Sequence, residues 1–176
     1  LQLCQQKDVG MVGAKLYYPD DTIQHAGVVV GLGGVAAHVL CKLPRDAEGY
    51  MGRLRCVQEI SAVTAACMMV KTSVFKAVGG FDEELKVAFN DIDLCMKVRK
   101  YGVKIVFTPY AELYHYESKS RGMEDTPEKQ LRFSREVNCF RRKWERELLK
   151  GDPYYNPNLT LNNTDCSLRK QEKNGD

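Results

Sequence analysis

The sequence lacks both a long hydrophobic run and the cysteine spacings of common metal and redox sites. No stretch reaches the about 18 consecutive apolar residues that a membrane-spanning helix requires. No basic segment followed by an apolar core and a cleavage site is visible, so we expect no signal peptide. The net charge of +3 is too small to indicate nucleic-acid binding by itself. These absences argue against a membrane-spanning segment and give no support to a nucleic-acid partner.

The seven cysteines are odd in number and widely spaced, and no C-x-x-C pair occurs among them. Neither a zinc knuckle nor a dithiol redox pair is therefore indicated. Cys67 and Cys95 lie within apolar patterns and are expected to be small hydrophobic core residues. A reducing cytoplasm is the simplest compartment for such a protein.

The length of 176 residues, with 44% hydrophobic residues, suits one domain with a substantial core. The chain does not begin with methionine, and a strand-like pattern follows almost at once. We therefore expect the chain to be the second half of a larger protein.

Strand-like and helix-like segments alternate along the chain, which predicts an α/β domain. The predicted strands cover residues 9–18, 26–30, 61–70 and 103–108. The segment 61–70 is apolar enough to be covered on both faces, and the last strand is expected to end at Pro109. The predicted helices cover residues 71–78 and 91–101, with glycines after each. Leu94, Val98 and Tyr101 share one face of the second helix.

A longer helix is predicted to begin at Thr126, where a capping hydroxyl is followed by Pro127 and Glu128. Its apolar stripe consists of Phe133, Val137, Phe140, Trp144 and Leu148. Its basic positions are Arg132, Arg135, Arg141, Arg142, Lys143 and Arg146. These basic positions suit a solvated face, and they also suit contact with acidic lipid headgroups.

The segment Asn90-Asp91-Ile92-Asp93 places two acids at the start of a predicted helix. The dipole and free amides of a helix N-terminus favour a carboxylate anion, which can accept a proton from a hydroxyl nucleophile. A structural alternative is that both aspartates only cap the helix. Chelation of one metal ion by Asp91 and Asp93 is disfavoured, because side chains at i and i+2 diverge on a helix.

His115 follows a predicted strand in an aromatic setting, and imidazole is a common ligand of divalent ions. A lone histidine is more often a hydrogen-bonded structural residue, so this pattern leaves both roles open. The segment from Gly31 to Ala36 resembles a G-x-G-x-x-A dinucleotide fingerprint after a strand. That fingerprint requires a following helix and an acid about 20 residues later. Pro44 and Asp46 come too early, which favours a flexible loop on the substrate side.

Five short segments carry a combined family pattern. They are Thr64-Ala-Ala-Cys67, Gly79-Gly-Phe-Asp-Glu83, Asn90-Asp-Ile-Asp-Leu94, Gly102-Val-Lys-Ile-Val106 and Pro109-Tyr-Ala-Glu-Leu-Tyr-His115. Together they resemble family 2 glycosyltransferases with the GT-A fold, especially rhamnosyltransferase-like members of bacterial polysaccharide synthesis. The resemblance covers residues 9–160. It implies a partial GT-A fold, with a mixed sheet, flanking helices and a long C-terminal helix. Residues 1–122 would be the acceptor-side half of the domain, and residues 123–176 a helical extension with a polar tail.

The resemblance implies inverting transfer of a sugar from a nucleoside diphosphate to an acceptor hydroxyl. Asp91 matches the second acid of the family's E-D pair and would deprotonate the acceptor. A Mn²⁺ or Mg²⁺ ion would neutralise the leaving group, with His115 as a metal ligand. The acceptor-binding residues would be Thr64, Gly79, Gly80, Asn90 and Asp93. The diphosphate-binding residues would be Ser118, Ser120 and Arg121, because arginine suits phosphate.

The partners implied are a UDP- or dTDP-linked sugar and a saccharide or lipid-linked saccharide acceptor, with no nucleic acid. The expected location is the cytoplasm, including peripheral contact with the inner face of the cell membrane. An exposed sheet edge would also allow two copies to pair.

Two departures from the family pattern affect these expectations. Asn90 replaces the first acid of the pair and keeps a hydrogen-bonding group without its charge. The family's nucleotide-binding strands and D-x-D motif would precede Leu1. The isolated chain is therefore expected to bind donor poorly and to turn over slowly or not at all.

Two other functions compete with a transferase. A non-catalytic carbohydrate- or partner-binding module on the same scaffold would keep its affinity in an Asp91→Asn variant. A metal-dependent hydrolase using Asp91, Asp93 and His115 would release product without an acceptor.

Overall fold

A computed structural model of the protein describes residues 1–116 and 126–170. The strands are β1 (Val9–Tyr17), β2 (Ile23–His25), β3 (Val28–Val30), β4 (Ala36–His38), β5 (Gln58–Glu59), β6 (Met68–Val70) and β7 (Lys104–Tyr114). The helices are α1 (Thr72–Ala77), α2 (Asn90–Lys100), α3 (Pro127–Lys143) and α4 (Glu145–Lys150). The expected α/β class is confirmed.

One mixed sheet of five strands organises the molecule. β1 and β7 run parallel at its centre, and β5 pairs antiparallel with the far edge of β7. β6 and β2 pair antiparallel with successive halves of the other edge of β1. β3 and β4 form a separate antiparallel hairpin. The parallel pair β1 and β7 therefore carries the sheet, and α2 packs against both strands.

The glycine-rich segment after β3 forms a tight 3-10 turn, Leu32–Gly34, that leads directly into β4. Gly31 and Gly33 adopt positive φ angles of 95° and 65°, which glycine tolerates without a steric penalty. No helix follows this turn, so the dinucleotide fingerprint lacks the structure it requires. This outcome agrees with the loop that the sequence favours.

The predicted strand over residues 61–70 is wrong. Only Met68–Val70 is a strand, and residues 65, 66 and 69 are exposed. Thr64 causes the difference, because its hydroxyl oxygen accepts a hydrogen bond from the Ala66 amide at 3.3 Å and starts a 3-10 turn, Ala65–Cys67. Cys67 is accordingly half-buried, whereas Cys95 is fully buried as expected.

The predicted end of the last strand at Pro109 is also wrong, because β7 continues to Tyr114. The pairing register shifts at this point: Ala14 of β1 opposes Thr108, but Lys15 opposes Glu112. Residues 109–111 therefore bulge out of the ladder, which accommodates a proline that has no amide hydrogen to donate.

Helix α2 begins one residue earlier than predicted, at Asn90, after Phe89 in a left-handed conformation with φ 62°. Neither Asp91 nor Asp93 occupies the N-cap position, and both lie in the first turn. Asp91 nevertheless accepts a hydrogen bond from the first-turn amide of Ile92. Leu94 and Val98 are fully buried against the sheet, as predicted. Tyr101, which was expected to share that face, follows the last helical residue and is 56% exposed.

Helix α3 begins as predicted, because the Thr126 hydroxyl accepts a hydrogen bond from the Lys129 amide and Pro127 opens the helix. Phe140 and Trp144 are buried, but Phe133 is 42% exposed. The helical path breaks at Trp144 and continues as α4. Phe140, Trp144 and Tyr155 belong to the same hydrophobic core as β1 and α2. The predicted domain division at residues 122 and 123 lies outside the described residues.

No helix in the described ranges is long and apolar enough to cross a membrane.

Candidate active site

Asp91 lies where α2 meets the turn that follows Thr64. Its Oδ2 accepts a hydrogen bond from the Ala65 amide at 3.0 Å, and its Oδ1 accepts one from the Ile92 amide at 2.9 Å. A carboxylate has about four lone-pair sites, so these two bonds orient the group and leave acceptor capacity unused. Asp91 is only half-buried. The structure therefore gives Asp91 a fixed orientation together with access to a ligand.

Asn90 supports the backbone beside Asp91. Its side-chain Oδ1 accepts a hydrogen bond from the Asp91 amide at 2.7 Å. The side chain thus takes one of the free amides at the start of α2, which is a structural role that asparagine fills as well as an acid. The predicted contact of Asn90 with an acceptor remains a prediction.

Asp93 occupies a different environment from Asp91. It is completely buried, and its Oδ1 accepts a hydrogen bond from Trp144 Nε1 at 2.8 Å and lies 2.7 Å from Lys143 Nζ. Lys97 Nζ lies 3.3 Å from its Oδ2. Burial alone would lower the pKa of Lys143, but hydrogen bonds with Asp82 and Asp93 outweigh it and raise that pKa. The Asp93 carboxylate therefore faces the interior, with Oδ1 hydrogen-bonded and Oδ2 close only to Lys97, and its contact with an acceptor remains a prediction.

Gly79 and Gly80 terminate α1. Both have positive φ angles, and the Gly80 amide donates to the Phe75 carbonyl at 2.9 Å, which closes the end of the helix. The Gly80 carbonyl accepts a hydrogen bond from Lys97, the same ammonium that pairs with Asp93. Gly79 is exposed and Gly80 is buried. The predicted acceptor contacts of this pair remain predictions, but the pair is tied to α2.

Glu136 of α3 holds the loop that leads into α2, and the sequence analysis missed this residue. Its Oε1 accepts hydrogen bonds from the amides of Lys86 and Val87 at 3.1 and 3.2 Å, and its Oε2 from that of Ala88 at 2.8 Å. The side chain is buried. The sequence did contain a signal for this role, because Glu136 is a single acid on the apolar side of α3, between Phe133 and Phe140.

His115 lies on a cleft of about 280 Å³ at the end of β7. The cleft is lined by Tyr18, Gln24, Ala37, His38, Cys41, Thr64, His115 and Thr164. Thr64 therefore connects two predicted site residues: it lines the cleft with His115, and the next amide in the chain binds Asp91. The predicted Ser118, Ser120 and Arg121 lie outside the described residues.

Gln24 fixes the orientation of the His115 ring. His115 Nδ1 lies 2.8 Å from Gln24 Oε1, and Gln24 Nε2 donates to the His115 carbonyl at 3.3 Å. Because the Gln24 oxygen can only accept a hydrogen bond, this orientation of the Gln24 amide assigns the ring proton of His115 to Nδ1. The lone pair of Nε2 is then available to a ligand. Metal-binding histidines commonly have such a partner on the other ring nitrogen, so His115 fits a role as one metal ligand.

No group of three or more histidine, cysteine, aspartate or glutamate side chains in the described ranges could hold a metal ion. All seven cysteines belong to the described part of the chain, and none of them forms a disulfide. His115 could thus supply one ligand, but the described residues do not supply a complete set.

A family model described as glycosyltransferase like family 2 matches residues 1–136. The chain belongs to this family, as the sequence motifs predict, and its mixed sheet with flanking helices is part of a GT-A fold. No solved structure gives a significant match to the chain.

Three proteins with similar sequences are described below. The protein named Uncharacterized protein y4gI of Sinorhizobium fredii (strain NBRC 101917 / NGR234) is 58% identical over 167 residues, which are 94% of this chain and 18% of that protein. The O-antigen biosynthesis protein RfbC of Myxococcus xanthus is 39% identical over 173 residues, 98% of this chain and 13% of that protein.

The N-acetylglucosaminyl-diphospho-decaprenol L-rhamnosyltransferase of Mycobacterium tuberculosis (strain CDC 1551 / Oshkosh) is 36% identical over 62 residues, 35% of this chain and 20% of that protein. The chain thus spans less than one fifth of the length of the first two relatives.

Proposed function

We propose that this chain supplies the acceptor side and the general base of an inverting glycosyltransferase. The enzyme would transfer a sugar from a UDP- or dTDP-linked donor to a saccharide or lipid-linked saccharide during cell-surface polysaccharide synthesis. The observation that carries the proposal is the half-buried Asp91, oriented by the Ala65 and Ile92 amides within a family 2 chain. The names of the Myxococcus and Mycobacterium relatives support the polysaccharide context and the sugar-transfer chemistry.

In the proposed reaction Asp91 accepts the proton of the acceptor hydroxyl. The acceptor oxygen forms a bond to the anomeric carbon as the bond from that carbon to the diphosphate oxygen breaks, and the electron pair leaves with the diphosphate. Attack opposite the leaving group inverts the anomeric configuration. A general base contributes about 10²- to 10⁴-fold when it is correctly placed and ionised. The two backbone hydrogen bonds from Ala65 and Ile92 hold the carboxylate in one orientation.

A Mn²⁺ or Mg²⁺ ion, when bound, would neutralise the charge that develops on the diphosphate. His115 would contribute one ligand through Nε2, while Gln24 holds the other ring nitrogen. Ser118, Ser120 and Arg121 follow His115 closely in the chain, so they remain the proposed diphosphate contacts.

We place the reaction in the cytoplasm at the inner face of the membrane. The basic residues of α3 suit that location, although Lys143 and Arg141 also bind the body of the protein, through Asp82 and the Gly34 carbonyl. We also propose that two copies of the protein pair through an exposed sheet edge.

The test measures release of nucleoside diphosphate by the longest natural protein that contains this chain. Donors would be UDP-, dTDP- and GDP-sugars with Mn²⁺, with and without acceptor extracts. Acceptor-dependent release that is lost in Asp91→Asn but kept in the exposed control Asp165→Asn would support the proposal. Saccharide binding without any release of nucleoside diphosphate would favour the binding-module alternative. Release that does not depend on acceptor would favour a hydrolase.

A further inference from the structure

Lys15 is a buried cation in the middle of the central strand β1. Lys15 is only 4% exposed to solvent. Its Nζ lies 3.4 Å from the Arg45 carbonyl and 3.5 Å from the Leu54 carbonyl, both at the long limit of hydrogen bonding. Buried cations in proteins are usually paired with an acid. Lys15 forms no ion pair within the described ranges, and burial lowers the pKa of its ammonium group.

Lys15 lines a cleft of about 420 Å³. The bulge of β7 at residues 109–111 opens one wall, because the register between Lys15 and Glu112 leaves three extra residues outside the ladder. Pro109 and Tyr110 come from this bulge, and Tyr110 is 80% exposed. A strand irregularity thus places an exposed aromatic ring on the same cleft as a buried ammonium group.

The other charges of the cleft leave room for one anionic group. Arg45 is engaged by Glu112 at 2.6 Å and by Asp21 at 3.3 Å, so it neutralises the carboxylate that faces Lys15. Arg55 lies 3.5 Å from Glu48, with both side chains more than half exposed, and donates a hydrogen bond to the Asp46 carbonyl at 3.2 Å. Such exposed pairs contribute little and separate readily. Lys15 and Arg55 are therefore the cations of this cleft that an incoming anion can engage, while Asp46 at the edge disfavours a ligand with several anionic groups, such as a diphosphate.

We infer that this cleft binds a sugar that carries one oxyanion group, either the carboxylate of a uronic acid or a phosphate ester. Lys15 receives the anion at the base of the cleft, Arg55 covers it at the mouth, and Tyr110 stacks against the apolar face of the sugar ring. The inference rests on the proposed function, because the acceptor glycan is the source of such a sugar. His115 directly follows β7, and its amide donates a hydrogen bond to the carbonyl of Tyr17, which lies two residues after Lys15 in β1.

The test is a titration of the ¹⁵N-labelled protein with glucuronate, glucose 6-phosphate, glucose and UDP, followed by NMR. We expect at least one charged sugar to bind at least tenfold more tightly than glucose, with shifts at Lys15 and Tyr110. The preferred sugar identifies the source of the oxyanion. Lys15→Met should weaken that binding at least tenfold, whereas Lys7→Met, which removes an exposed lysine, should leave it unchanged.

Equal affinities for charged and neutral sugars would overturn the inference, as would full binding by Lys15→Met or stronger binding of UDP than of either sugar at this cleft. If Lys15→Met does not fold, the exposed substitution Arg55→Gln decides: weaker binding of the charged sugar supports the inference, and unchanged binding overturns it. Asp91→Asn should bind the charged sugar like the natural protein. Failure of the proposed catalytic role is therefore distinguishable from failure of this cleft.

Discussion

The indole Nε1 of Trp144 donates a hydrogen bond to Oδ1 of Asp93 over 2.8 Å, joining the end of α3 to the first turn of α2. This contact separates the roles of two neighbouring acids. Because residues i and i+2 point in different directions on a helix, Asp93 turns towards the interior while Asp91 turns towards the turn after Thr64. Asp93 fixes the position of α2, and Asp91, the proposed base, stays half-buried at the surface.

The buried position of Asp93 predicts that Asp93→Asn is strongly destabilising. The substitution removes the charge that compensates Lys143 and Lys97, and breaking a buried pair costs about 3 to 5 kcal/mol. We expect the unfolding free energy to fall by about 3 kcal/mol, at the low end of this range, because both lysines are partly exposed to water. Trp144→Phe keeps a large ring but loses the hydrogen bond, and should cost roughly 2 kcal/mol. Urea unfolding measures both, with exposed Asp165→Asn as the control; a loss below about 1 kcal/mol for Asp93→Asn would contradict the role assigned here.

The sequence predicted those features that depend on neighbouring residues. The cap of α3 at Thr126 and the glycine stop of α1 were correct, because each depends on a few adjacent residues. The strand over residues 61–70 was wrong, because apolar character alone does not reveal that the Thr64 hydroxyl binds a nearby amide. Trp144, which binds Asp93, lies 51 residues away, and the amides that bind Glu136 lie about 50 residues away, so no local pattern contains these contacts.

Glu136 predicts a link between α3 and the placement of Asp91. Glu136→Ala would leave the amides of residues 86–88 without their acceptor, at a cost of about 3 kcal/mol in unfolding free energy. Glu136→Gln keeps one oxygen acceptor and should lose less. The neighbouring exposed variant Arg135→Ala is the matched control. Transfer by folded Glu136→Gln should show a lowered kcat; an unchanged kcat would mean that the loop does not position Asp91.

The buried residue His25, which contacts the half-buried His38, predicts a pH-dependent stability. His25 is fully buried, and its Nδ1 lies 3.0 Å from His38 Nδ1. Burial, and to a smaller extent repulsion from His38, hold the pKa of His25 well below 6.5. The unfolded chain therefore binds an extra proton below about pH 6.5. Stability should be present above that pH and fall as pH decreases towards 5, by up to about 1.4 kcal/mol per pH unit. Unfolding of His25→Gln should show a flatter dependence; identical slopes would contradict this origin.

Gln24 predicts a change in metal requirement. Its amide orients the His115 ring, and loss of such a partner typically weakens metal binding 10- to 100-fold. In the longer protein, Gln24→Leu should therefore raise the Mn²⁺ concentration for half-maximal transfer by about tenfold. Donor KM at saturating Mn²⁺ provides the internal control and should change less. An unchanged Mn²⁺ requirement in both Gln24→Leu and His115→Ala would remove His115 from the metal site.

The most direct test of the central claim is the kcat of Asp91→Asn for transfer to acceptor at saturating donor and Mn²⁺. Asparagine keeps the size of the side chain and one oxygen that can accept the Ala65 or Ile92 amide, but it cannot take the acceptor proton. We predict a fall in kcat of at least about 10²-fold with a donor KM near that of the natural protein. A kcat within a few-fold of the natural value would show that another group removes the proton and would contradict the account.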